Sequence, residues 1–254
     1  MKRVLIQEKL KQLGTSVENI VLGDFDFIGE FTAKKSRDRN SELYKNVGSF
    51  FRPNYERGIL IHELIRHYHI KTYLEIGFGR GYSTLCAAKA LASEGVTEQG
   101  SVMTVDPNFD EKHMSILSQI FPNEWLKLIK FSKGYSKDIL SENQSKFDMI
   151  YIDGDHTEAG TKLDWELCKD RWNTCVLFDD YHPDSSEHNM QCAKVIDSIA
   201  EHEFDANEKE LVILDRRIFL DDRGYTDDQI KYGQVLMTKK SLSNSPISSW
   251  LENE

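Results

Sequence analysis

The chain has 254 residues, of which 39% are hydrophobic and 29% charged, and its formal net charge is −10. This balance fits a globular protein with one α/β domain plus additions, and the acidic excess argues against nonspecific binding to a nucleic-acid backbone. No run approaches the ~18 apolar residues that a membrane span requires.

Met1–Ile6 briefly imitates a signal peptide, but Gln7, Glu8, Lys9 and Lys11 break the apolar run at once. Lys2 to Leu13 reads instead as a short amphipathic helix. Val21 to Asn46 is polar and irregular, with a basic cluster at Lys34, Lys35, Arg37 and Arg39. It is either a solvated loop or a flap over a site. Asn54 to His69 reads as a helix with Ile59, Leu60, Ile61, Leu64 and Ile65 on its apolar face, packed on the sheet edge. His62, His67 and His69 in this region find no carboxylate or thiol to complete a metal set, and read as surface or boundary residues.

From Thr72 onward strand and helix patterns alternate. Strands are expected at Thr72–Ile76, Ser101–Val105, Leu126–Phe131, Phe147–Ile152 and Thr174–Phe178. Helices are expected at Tyr82–Leu91, His113–Ile120, Ser136–Leu140, Glu158–Asp170 and Asn189–Ala200. Leu211–Leu214 and Gln234–Met237 follow as a strand pair with no clear helix between them, which suggests an antiparallel finish. Such alternation implies a mostly parallel sheet with helices on both faces. Ser241–Glu254 is polar and expected to be a loose tail. None of Cys86, Cys168, Cys175 and Cys192 makes a C-x-x-C pair. Buried free thiols in a reducing compartment are expected, which places the protein in a cytoplasm.

The most informative stretch joins the first strand of this series to its helix: Glu75-Ile76-Gly77-Phe78-Gly79-Arg80-Gly81-Tyr82. A strand, a glycine loop and a helix in that order make a cradle for a nucleotide-type cofactor. The helix start offers unpaired N–H groups and partial positive charge, and glycine admits close backbone approach. A dinucleotide fingerprint would want a small residue where Tyr82 stands. The spacing is Glu-x-Gly-x-Gly-x-Gly, which resembles the first motif of class I S-adenosylmethionine-dependent methyltransferases. The resemblance implies a Rossmann-like, doubly wound, seven-stranded sheet with an antiparallel last strand. It also implies S-adenosylmethionine as cofactor, with Glu75, Gly77, Gly79 and Gly81 in its binding loop.

In an open α/β sheet, ligands bind beyond the C-terminal strand ends. Acids recur at that edge here: Glu75, Asp106, Asp153, Asp179 and Asp180. Asp106 stands 25 residues after Gly81, an offset from which a carboxylate takes both ribose hydroxyls; the alternative is a helix cap. Phe109 is a candidate to cover the adenine or ribose. Gly134-Tyr135-Ser136 resembles the loop that flanks adenine in the superfamily, with a plain turn as the equal alternative. Carboxylates held close together repel unless one is protonated or a cation binds, and oxygen ligands favour Mg²⁺, Mn²⁺ or Ca²⁺. His156 stands three residues past Asp153, and an imidazole, with an unperturbed pKa near 6.5, suits a proton acceptor.

Asp153-Gly154-Asp155-His156 after the fourth strand and Asp179-Asp180 after the fifth resemble the methyltransferase group of macrolide sugar O-methyltransferases and cephalosporin-hydroxylase-like proteins. That resemblance implies Mg²⁺ or another divalent cation held by Asp153, Asp179 and Asp180, with His156 and Asp153 in catalysis. Tyr181 follows where catechol-type relatives have Asn, which leaves open which of Asp179 and Asp180 is the inner ligand. The expected organisation is an N-terminal helix and lid over 1–52, a methyltransferase domain over 53–240 and a tail over 241–254. The expected activity is metal-assisted O-methylation of a small polar, sugar- or polyol-like acceptor. A metal-independent N- or O-methyltransferase, and a non-catalytic binding module, are the alternatives. No membrane or nucleic-acid partner is expected.

Overall fold

The structure, a computed structural model, describes residues 1–15, 55–79, 81–109, 111–182, 191–214 and 233–241. The expected flap at Val21–Asn46, its basic cluster, and the tail beyond Ser241 lie outside the described residues.

The described strands are β1 (Lys2–Leu5), β2 (Tyr73–Ile76), β3 (Val102–Asp106), β4 (Ile129–Lys133), β5 (Phe147–Ile152), β6 (Trp172–Tyr181), β7 (Glu210–Ile213) and β8 (Gly233–Thr238). They form one sheet of eight strands in the order β1-β7-β8-β6-β5-β2-β3-β4. From β6 to β4 all neighbours are parallel, and β8 runs antiparallel to both β6 and β7. The described α-helices are α1 (Ile6–Gln12), α2 (Tyr55–His67), α3 (Tyr82–Ser93), α4 (Glu111–Ile120), α5 (Asn123–Leu126), α6 (Ser136–Glu142), α7 (Glu158–Cys168) and α8 (Cys192–Ser198).

Alternation along the strands divides the core in two, as a pleat requires. Tyr73, Met149, Tyr151, Cys175 and Leu177 join the cluster that holds α1, α2 and α3. Leu74, Ile150, Ile152, Val176 and Phe178 join the cluster that holds Trp165 and Cys168 of α7 and Ile196 of α8. Both faces are therefore covered. All four cysteines are buried free thiols. Among the described residues no helix is long and apolar enough to cross a membrane.

Four local expectations change. The helix expected over Lys2–Leu13 begins only at Ile6, because Lys2–Leu5 pair with β7 as an eighth, parallel edge strand. The ladder satisfies backbone groups that a helix of such mixed residues would leave to weak packing. The strand expected at Leu126–Phe131 starts at Ile129, after the short α5. Helix α2 does not flank the sheet edge. Its residues Ile59, Leu60, Ile61, Leu64 and Ile65 are fully buried with residues of α3 and the central strands. His62, expected as a surface or boundary residue, is buried with its Nδ1 2.9 Å from Glu63 Oε1.

The strand order reverses at β2, which pairs with β3 on one side and β5 on the other. Such a switch point opens a crevice beyond the C-terminal strand ends. Gly77 and Asp153 meet there: Asp153 N–H donates to Ile76 O at 2.9 Å, extending the ladder past the strands.

Candidate active site

A cavity of about 450 Å³ opens at the switch point. Among the residues singled out in the sequence, Gly77, Gly79, Asp106, Ser136 and Asp153 line it. Glu75, Gly81 and Phe109 do not form part of its lining.

The glycine loop owes its shape to glycines of positive φ and to Asp106. Gly77 takes φ +93°, in the left-handed region. Gly81 takes φ +85° and forms the N-cap of α3. Asp106 Oδ2 accepts the Gly79 N–H at 3.0 Å and Oδ1 accepts the Asn108 N–H at 2.7 Å. Asp106 thus fastens the loop to the end of β3 while facing the cavity, and Asx-type hydrogen bonding holds its carboxylate in place.

Glu75 lies beneath the loop. It is fully buried and accepts hydrogen bonds from Ser83 at 2.5 Å, Thr84 at 2.8 Å and Tyr73 at 3.3 Å. These bonds tie β2 to the first turn of α3. Burial pushes the Glu75 carboxyl up to about 7, against the pull of the three hydroxyls. Phe109 is absorbed by an aromatic cluster: its ring stacks on Phe131 at 4.7 Å and meets Phe78 edge-on at 5.7 Å. Both residues support the loop from below.

Ser136 lies in the first turn of α6, but it does not cap that helix. Its hydroxyl donates to Asp164 Oδ1 at 2.5 Å. Asp164 is a cavity residue that the sequence reading missed, because it sits mid-helix in α7 without a motif around it. Burial raises its carboxyl to about 6, with the Ser136 hydrogen bond opposing. Thr157 caps α7 by accepting the Gly160 N–H, and Asp155 accepts the Thr157 N–H. This compact turn aims His156 back toward the strand ends.

The acids converge beside the cavity. Asp179 and Asp180 are neighbours on β6, so a regular pleat would point them to opposite faces. The register with β8 shifts between Phe178 and Tyr181, and Asp180 takes φ +49°. This bulge turns both carboxylates toward one guanidinium. Arg57 of α2 stands 2.7 Å from Asp179 Oδ2, 3.0 Å from Asp180 Oδ1 and 3.9 Å from Asp153 Oδ2. Gln234 of β8 donates to Asp179 Oδ1 at 3.0 Å and to the Tyr151 hydroxyl at 3.0 Å, and that hydroxyl donates to Asp153 Oδ2 at 3.3 Å. Burial, then the Asp179 charge, push the Asp153 carboxyl well above the usual range, with Arg57 opposing. Asp179 is raised for the same first reason, again against Arg57.

His156 Nε2 lies 3.4 Å from Asp180 Oδ2 and 3.7 Å from Asp153 Oδ1. Its Nδ1 is 3.6 Å from the Cys192 sulfur. Burial pushes that thiol up to about 11, so it stays neutral. Ligand atoms of Asp153, His156 and Asp180 all lie within 4.8 Å of one another, the one such group of three among the described residues. The two carboxylate oxygens at that spacing fit a hard divalent cation by donor chemistry, with the imidazole nitrogen beside them. Arg57 and Gln234 had no sequence signal; the fold alone brings them here.

Residues 74–181 match a family model described as a methyltransferase domain. A catechol O-methyltransferase of Niastella koreensis is 30% identical over 114 residues, 43% of this chain and 48% of that protein. The chain thus matches about half the length of this curated relative. An O-methyltransferase of Streptomyces achromogenes involved in tomaymycin synthesis, solved with S-adenosylmethionine, superposes with a TM-score of 0.54 at 17% identity, over 79% of this chain and 90% of that one. An O-methyltransferase of Bacillus cereus, solved with S-adenosylhomocysteine, gives 0.54 at 17% identity, over 85% and 94%. Residues 74–181 are thus similar to a methyltransferase domain, and the chain has the Rossmann-like fold of these O-methyltransferase structures.

Proposed function

We infer that the protein transfers a methyl group from S-adenosylmethionine to a hydroxyl oxygen of a small polar acceptor, such as a sugar or polyol, with help from a divalent cation. The observation that carries this reading is the adjacency of two features. The glycine-loop cavity ends at Asp153, and Asp153 is also the first member of the Asp153–His156–Asp180 group.

The roles follow from position. Gly77 and Gly79 let backbone approach the cofactor closely, and Asp106 faces the cavity where a ribose diol would take its two oxygens. Ser136 and Asp164 line the same cavity and form a polar pair in its wall. Asp153 and Asp180 would hold the cation, which when bound lowers the pKa of a hydroxyl placed against it. His156 accepts the hydroxyl proton at Nε2, while the neutral Cys192 thiol beside Nδ1 keeps the ring oriented. Alignment does most of the remaining work, because the sulfonium methyl is already activated.

Methyl-labelled S-adenosylmethionine offered with polyol, sugar and catechol acceptors tests the reading. Transfer should need added Mg²⁺ or Mn²⁺ and cease with EDTA, and Asp153→Ala should lose turnover while keeping most of its cofactor affinity. Transfer that persists in EDTA would favour direct base catalysis by His156 or Asp153 on oxygen or nitrogen. Tight cofactor binding with no transfer to any acceptor would favour a binding module.

A further inference from the structure

Arg57 lies on α2, upstream of the segment that matches the family model. Its guanidinium nevertheless reaches all three acids of the strand ends.

The contacts also sort the carboxylate oxygens. Asp179 has a side chain 0% exposed, with Oδ2 on Arg57 and Oδ1 on Gln234. Asp153 turns Oδ2 toward Tyr151 and Arg57, and Oδ1 toward His156. Asp180 gives Oδ1 to Arg57 and turns Oδ2 toward His156. The oxygens on the inner side meet Arg57. Those of Asp153 and Asp180 on the outer side share the cleft with the imidazole. A planar fork suits this division, since its two nitrogens engage Asp179 and Asp180 at once, whereas an ammonium is a single point.

We propose that Arg57 is a positioning residue, the resident cation of the acid cluster. It holds Asp179 out of the metal-ligand set and presents Asp153 Oδ1 and Asp180 Oδ2 to the incoming ion. The proposal rests on the metal-assisted reading above.

The test is Mn²⁺ binding to the full chain, followed by the electron paramagnetic resonance of the free aqueous ion. It compares wild type with Asp179→Asn, Arg57→Gln and the double variant. S-adenosylhomocysteine binding is measured separately by calorimetry. Asp179→Asn should stay within about threefold of wild type, because that carboxylate is not a ligand. Arg57→Gln should bind Mn²⁺ about tenfold tighter, because Asp179 is released to add ligand charge. The double variant should return to within about threefold of wild type, because the gain runs through Asp179. A merely structural ion pair would give no such reversal.

A loss of about tenfold or more in Asp179→Asn would overturn the proposal. So would a folded Arg57→Gln protein with equal or weaker Mn²⁺ affinity, or a wild type that takes up no Mn²⁺ at all. Should Arg57→Gln fail to fold, Asp179→Asn alone decides. Failure to bind S-adenosylhomocysteine would count against the methyltransferase reading and leave the Mn²⁺ result on Arg57 standing.

Discussion

A Cβ placed on Gly77 would lie 2.0 Å from the carbonyl oxygen of Asp153. The glycine loop and the acid cluster therefore share one close backbone contact. Gly77→Ala adds this clash to the cost of a left-handed φ, which is about 1–2 kcal/mol by itself. The expected outcome is a lower melting temperature together with loss of S-adenosylhomocysteine binding. Unchanged affinity in a folded Gly77→Ala protein would show that the loop tolerates separation from Asp153.

Glu75 carries a pH signature. Its carboxyl rises from 4.5 to about 7 in the folded chain. Between those values the folded state keeps a proton that the unfolded chain has lost, so stability falls as pH rises through the window. Glutamine cannot titrate. The stability of Glu75→Gln relative to wild type should therefore improve between pH 4.5 and pH 7 by on the order of 3 kcal/mol. Denaturant unfolding at several pH values measures it, and a difference flat with pH would contradict the buried, proton-holding carboxyl.

The Ser136–Asp164 hydrogen bond should also depend on pH. Asp164 titrates at about 6 in the folded chain. Above that value Ser136 donates to a carboxylate; below it, to a neutral acid. Ser136→Ala should cost about 1 kcal/mol at pH 5 and about 1.5–3 kcal/mol at pH 8. Equal costs at both pH values would mean that the bond does not sense the charge.

Asp180 separates backbone from side chain. Its φ of +49° is one that Asp and Asn tolerate better than other L residues. Asp180→Asn and Asp180→Ala both remove the carboxylate and should both lose methyl transfer. Asp180→Ala should be less stable than Asp180→Asn by roughly 1 kcal/mol, since only the asparagine keeps a side chain suited to the bulge. Thermal unfolding of the pair decides.

Much of this site was legible in the sequence, and the part that was not has a physical cause. The parallel sheet showed in short β-branched runs spaced by helical periods, and the loop and strand-end acids showed because they sit where those periods break. Phe147–Ile152 and the start of α3 at Tyr82 fall where the pattern put them. The direction of a side chain is a tertiary property, however. Glu75 reads the same whether it faces a ligand or the hydroxyls of Ser83 and Thr84, and Phe109 reads the same in a pocket or against Phe131. Arg57 and Gln234 lie far along the chain from the acids they touch, and Asp164 sits mid-helix without a motif around it, so only the closed fold brings them in. The bulge that turns Asp179 and Asp180 together leaves no mark in an otherwise regular strand.

The most direct test of the account is a calorimetric titration of S-adenosylhomocysteine into wild type and Asp106→Ala. Asp106 faces the cavity at the end of β3 and fastens Gly79. Wild type should bind one equivalent, and Asp106→Ala should bind about tenfold or more weakly, as loss of hydrogen bonds to a charged acceptor implies. No heat of binding in wild type, or equal affinity in a folded Asp106→Ala protein, would contradict a cofactor seated between the glycine loop and this carboxylate.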